Sequence, residues 1–86
     1  MTRVAFVAGL NIFMYKNEGA HKEPHFHVTG GGVDVSINIR NNDIVRGKLP
    51  NNKRRDILDF AKRRRGDLLE AQETLNAGFR PDWIEG

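Results

Sequence analysis

The chain has 86 residues, with 14 Lys or Arg against 11 Asp or Glu, a net charge of +3 and a pI near 9.7. Cysteine is absent, which excludes a disulfide framework and any thiolate metal site, and no apolar run approaches the roughly 18 residues of a membrane span. A domain this small buries only about 60% of its unfolded surface, so a partner protein or homo-oligomerisation is an expected source of stability.

The first segment, "MTRVAFVAGLNIFMYKNEG", is basic and then apolar, but it alternates like a strand and lacks a clear cleavage site. It is read as structure rather than as a leader, with a cytoplasmic location expected. "VAFVAG" and "LNIFMYK" read as strands, or as one bent pair broken at Gly9. "KNEGAHKEP" reads as a loop, and "HFHVTGGG" as a strand that runs into a glycine turn. In "VDVSINIR", Val33, Val35, Ile37 and Ile39 alternate with Asp34, Ser36, Asn38 and Arg40, which is the two-residue period of a half-buried strand. "NND" is turn chemistry, and "IVRGKLP" reads as a short final strand ending at Pro50. Asn51 or Asn52 then caps a helix to about Asn76, with Gly78 past its end. Its apolar stripe runs through Ile57, Phe60, Ala61, Leu68, Ala71 and Leu75; Arg64 interrupts it, and Gly66 marks a kink or break. The tail carries Phe79, Trp83 and Ile84, which either cover part of the core or meet a partner.

The expected fold is α+β, a single domain over residues 1–86. An antiparallel sheet of three to five strands (about 4–50) carries one long C-terminal helix (about 52–76) on one face, followed by a tail (77–86). If Phe26 and Val28 face the helix, then His25, His27 and Thr29 face the other side, together with Asp34, Ser36, Asn38 and Arg40. That inference needs regular alternation through the triple glycine, where a bulge would break it. The sheet is expected to lack an exposed aromatic pair for base stacking.

His21, His25 and His27 are the only histidines, and all lie within "HKEPHFHV". Three roles are open to them. Residues i and i+2 of a strand lie about 6.5–7 Å apart on one face, so His25 and His27 can lean together on a divalent transition metal such as zinc. His21 would be a third ligand, and Glu18, Glu23 or Asp34 an oxygen donor. Without a metal, two histidines beside basic residues can cleave RNA. One takes the 2′-hydroxyl proton, the other protonates the leaving oxygen, and Arg40 or Lys48 stabilises the extra phosphate charge. The third role is structural, in which the rings donate to backbone carbonyls and shape the turn around Pro24. Separately, seven cations fall between Lys53 and Arg65, opposed only by Asp56 and Asp59. Lys62, Arg63, Arg64 and Arg65 are candidates for contact with nucleic acid or an acidic partner, or else they form a solvated face with i,i+4 pairing.

"EGAHKEPHFHV" resembles a small bacterial family, the domain of unknown function numbered 4160, whose mark is E-H-x-P-P-H-x-H-V followed by an alternating strand, a G-x-L strand and one long helix. His21, Pro24, His25, His27 and Val28 match the mark, Val33 to Ile39 the alternating strand, and "GKLP" at Gly47–Pro50 the G-x-L; the likeness runs from about Val7 to Leu75. Glu23 stands where the first proline would, Ala20 where the glutamate before the first histidine would, and Ala71 or Gln72 where the family commonly has a tryptophan. The resemblance implies a bacterial or phage cytosolic protein, often encoded beside a second small gene in a pair that looks like a toxin–antitoxin module. It therefore implies a small cognate partner protein and a toxin acting on RNA. The expectation is a component of such a pair, an endoribonuclease-like toxin centred on His25 and His27 with His21 assisting. The alternatives are a non-enzymatic binding module and a metal-binding protein.

Overall fold

The computed structural model describes residues 2–16 and 23–86. Five strands, β1 (Thr2–Val7), β2 (Leu10–Met14), β3 (His25–Gly30), β4 (Val33–Asn38) and β5 (Ile44–Arg46), precede two helices, α1 (Asn51–Arg63) and α2 (Arg65–Asn76). The strands form one antiparallel sheet in the order β1-β2-β3-β4-β5. The α+β expectation holds at the level of a five-stranded sheet with C-terminal helices.

Turn chemistry sets the register. Ala8 and Gly9, with φ of 53° and 79°, link β1 to β2; Gly31 and Gly32, with φ of 53° and 84°, link β3 to β4. Two consecutive left-handed residues are the turn whose twist matches an antiparallel pair. The β3–β4 register then runs without a shift from His25 opposite Asn38 to Gly30 opposite Val33. The triple glycine hides no bulge, and the alternation carries the histidines to one face. The irregularities lie elsewhere. One falls between Arg3 and Ala5 of β1 and turns both Val4 and Ala5 inward; the other falls where β4 meets β5.

One sheet face carries the core. Ile12, Met14, Phe26, Val28, Val35 and Ile37 are fully buried against Ile57, Phe60, Ala61 and Leu68 of the helices. Leu49 enters the same core from the link after β5. "GKLP" is therefore not part of a strand, because β5 ends at Arg46. Gly47 has φ of 81°, and a Cβ there would run into the Asp34 carbonyl oxygen. Only glycine lets the chain cross β4 this closely, and the crossing delivers Leu49 to the core.

The expected single long helix is two helices, and the joint is at Arg64 rather than Gly66. Arg64 adopts φ −108°, ψ 21°. Its N–H still donates to Phe60 O at 2.9 Å, and its carbonyl accepts from Leu68 N–H at 2.8 Å, so the ladder bends instead of ending. An unbroken helix would aim this guanidinium into the apolar stripe. At the joint its Nε donates to Glu85 O in the tail at 3.1 Å, and its Nη1 meets Asp67 Oδ2 in the first turn of α2 at 3.5 Å. The helix start also differs from expectation. Pro50 occupies the cap position, and no side chain caps α1.

The tail divides its apolar residues between core and solvent. Ile84 is buried in the core and its N–H donates to Val4 O at 2.8 Å, beside the β1 bulge. Phe79 and Trp83 stay largely exposed, with the Arg3 guanidinium 5.5 Å from the Trp83 ring centre.

Candidate functional site

The helices cover one sheet face, and the histidines lie on the other. Along β3, Phe26 and Val28 are buried in the core, while His25, His27 and Thr29 are half-buried on the opposite face. The His25 and His27 rings stand edge to face with centres 5.0 Å apart, and the Tyr15 ring meets His27 edge-on at 4.6 Å. Around the pair lies a cavity of about 300 Å³, lined by Glu23, His25, His27, Ser36, Asn38, Val45 and Arg46.

Each ring is held by a different kind of partner. His25 Nδ1 lies 3.1 Å from the Glu23 carbonyl oxygen, which can only accept. Nδ1 therefore carries the hydrogen, and in the neutral ring Nε2 keeps a free lone pair. His27 Nδ1 lies 3.0 Å from Ser36 Oγ, the residue directly across the β3–β4 pair. A hydroxyl can serve either tautomer, so Ser36 orients this ring without fixing its proton. Burial, then the neighbouring His25, hold the His27 pKa below the usual histidine value; Asp34 opposes the shift and Arg46 adds to it. At pH 7 the neutral form of His27 therefore predominates. Asn38, which lines the cavity opposite His25, accepts at Oδ1 from Arg40 N–H at 2.8 Å and Asn41 N–H at 3.2 Å, which tightens the turn after β4.

The other expected site residues are scattered. His21 and Glu18 lie outside the described residues, so the three-histidine metal set, His21, His25 and His27, does too. Among the described residues, no group of three or more His, Asp or Glu side chains is gathered as a metal site. Arg40 does not line the cavity; it meets Glu23, which does, at 3.8 Å in an exposed ion pair. Lys48 is exposed in the link between β5 and α1. Of Lys62, Arg63, Arg64 and Arg65, the lysine is exposed and the three arginines make contacts within the chain. Arg63 pairs with Asp59 at 2.7 Å, Arg64 holds the tail, and Arg65 Nε donates to Ile39 O at 3.3 Å. Lys53, at the start of the basic run, donates to Ala8 O at 2.7 Å and props the β1–β2 turn.

Three site residues escape a reading of the sequence: Ser36 as the partner of His27, Arg46, and the Tyr15 ring. Ser36 had a signal, since a two-residue turn at Gly31–Gly32 places His27 and Ser36 at equal distances from it. The expectation of a sheet without an exposed aromatic pair for base stacking is corrected: Phe6 and Tyr15 are exposed, and Phe13, half-buried, lies on the histidine face.

No helix among the described residues is long and apolar enough to cross a membrane. Among the curated proteins and the solved structures, none matches the chain. The family model described as domain of unknown function (DUF4160) matches residues 9–72, a span that takes in β2 to β5, both histidines of the cleft and most of the helical layer. The chain belongs to that family.

Proposed function

We propose that the His25–His27 cleft is a proton-transfer site for cleaving RNA, and that the protein is the RNA-cleaving component of a bacterial toxin–antitoxin-type pair with a small cognate partner. One observation carries the reading: two imidazoles share one cavity with their rings 5.0 Å apart, and burial and the neighbouring ring lower the pKa of one of them, which stands beside Arg46. A neutral imidazole near pH 7 is suited to general-base work. In the tautomer where Nδ1–H donates to Ser36 Oγ, His27 Nε2 is free to take the 2′-hydroxyl proton. His25, with Nδ1–H tied to the Glu23 carbonyl, exchanges its proton through Nε2 and protonates the leaving 5′-oxygen. The 2′-oxygen bonds to phosphorus as the bond from phosphorus to the 5′-oxygen breaks, leaving a cyclic phosphate. Arg46 in the cavity wall offsets the charge gathering on the phosphoryl oxygens, with Arg40, which pairs with the lining residue Glu23, as the second cation.

The gene-pair setting and the partner rest on what the family resemblance implies. A role for a divalent metal involving His21 stays within the same experiment. Tag-free protein is incubated with a long RNA, with zinc, with manganese and with chelator, beside His25→Ala/His27→Ala. Cleavage is expected in the wild type, with a loss of about 10²- to 10⁴-fold in the double variant. Retention in the chelator lane assigns metal-free proton transfer, whereas loss there assigns a metal to the cleft. RNA left intact in every lane by folded protein overturns the reading.

A further inference from the structure

The strand register extends the histidine site across the whole sheet. Arg3 of β1 lies opposite Phe13 of β2, Phe13 opposite His27 of β3, His27 opposite Ser36 of β4, and Ser36 opposite Arg46 of β5. Directly opposed residues share a face, so a single row crosses all five strands, with an arginine at each end and the proton-transfer histidine in the middle. At about 4.8 Å per strand the row is about 19 Å long. Two further rings flank it. Phe6 lies opposite Asn11, one face position along from Phe13, and is 53% exposed; Tyr15 meets His27 and is 43% exposed. Arg3 reaches over the face to donate to Asn11 Oδ1 at 3.3 Å.

We propose that this open sheet face is a binding platform for single-stranded RNA, on which Phe6, Phe13 and Tyr15 stack against bases while Arg3 and Arg46 hold phosphates at its two margins. The proposal rests on the RNA-cleaving reading of the cleft and names the form of RNA it takes. Exposed rings on a sheet can stack only on bases that are splayed out, and a duplex hides the faces of its bases. The charge pattern fits a polyanion, since cations stand at both ends of the row. Asp34 lies on the next row, and Glu23 is paired with Arg40. A protein partner fits less well. Docking patches for proteins have an apolar centre and a polar rim, whereas the middle of this row is the polar ring of His27, with Phe13 on one side and Ser36 on the other. The platform also answers a topological difficulty: the basic run of the helices lies on the far side of the sheet, so RNA held there would have to wrap an edge to reach the histidines.

The test separates binding from cleavage. The binding probe is a fluorescein-labelled 2′-O-methyl oligoribonucleotide of about 12 nucleotides, within the span that one sheet platform of this kind can cover. It lacks self-complementarity and cannot be cut through a 2′-oxygen. Its affinity for the full chain is measured by fluorescence anisotropy, alone and annealed to its complement, beside cleavage of the unmodified RNA. Phe6→Ala and Tyr15→Ala are each expected to weaken single-strand binding roughly tenfold, and the duplex to bind more weakly than the single strand. Phe6→Leu keeps apolar bulk without a flat ring, and it is expected to behave as the alanine variant does. Circular dichroism confirms that each variant is folded. Wild-type affinity in the ring variants, or equal affinity for the duplex, overturns the platform. So does a wild-type dimer that Phe6→Ala turns into a monomer, because the face then belongs to a second copy. Ring-dependent binding without cleavage supports the platform and removes the proton-transfer reading; cleavage with ring-independent binding removes the platform alone.

Discussion

At the scale of single residues, His27 couples the site to the fold. Its pKa is lowered in the folded chain by burial and by His25, while an unfolded imidazole titrates near about 6.5. Between those two values the unfolded chain binds the proton more readily than the native one, so stability rises with pH across that window. Above about pH 6.5 both states are neutral and His27 costs nothing. As the pH falls below that value, the unfolded state gains and the fold weakens. The urea midpoint of the wild type is therefore expected to drop more between about pH 7 and pH 5 than that of His27→Asn, which keeps a group near the Nδ1 position but does not titrate. Equal drops contradict this account of His27. Gly47 is the second residue on which the site depends. Gly47→Ala puts a methyl against the Asp34 carbonyl and forces a side chain to φ of 81°. The expected loss is about 1–3 kcal/mol, measured by denaturant titration.

At the scale of elements, what was legible follows from local chemistry, and what was missed depends on packing. The alternation from Val33 to Ile39 identified β4, and the glycine turn carries His25 and His27 to the face shared with Ser36 and Asn38, because turn and period are both local. The pairing of Phe13 with His27 is not, because the segment between β2 and β3 gives no turn length that fixes the register. The rings on the open face were therefore overlooked, although Phe6 and Phe13 alternate with buried neighbours. The helix joint was misplaced for a similar reason. Gly66 has low helix propensity, but it is exposed, with nothing within 4 Å of where its Cβ would be. Arg64, a good helix former, bends the helix because its position faces apolar surface and its guanidinium has one partner in the tail, Glu85 O, and one in α2, Asp67. Gly66→Ala is accordingly expected to stabilise the protein by up to about 1 kcal/mol, read as a higher urea midpoint with unchanged slope. A lower midpoint would mean that the bend needs glycine.

At the scale of the whole molecule, the two faces of the sheet divide the work. The inner face, closed by α1, α2 and Ile84, supplies cohesion, and three of the four helix cations singled out in the sequence, Arg63, Arg64 and Arg65, brace that layer. Ile84→Ala removes the one core anchor of the tail and is expected to cost about 2–4 kcal/mol, a large share of the total for a small domain. The outer face carries the proposed site. His25, His27, Ser36 and Arg46 come from β3, β4 and β5, so their spacing is set by the ladder rather than by loops. The pH dependence of RNA cleavage by the wild type and by His27→Asn tests that division most directly. The wild-type rate is expected to rise with pH along a limb whose midpoint lies below about 6.5, the ordinary histidine value, and that limb is expected to vanish in the variant. A rate profile that His27→Asn leaves unchanged, or no cleavage by folded protein at any pH, would contradict the assignment of His27 as the base.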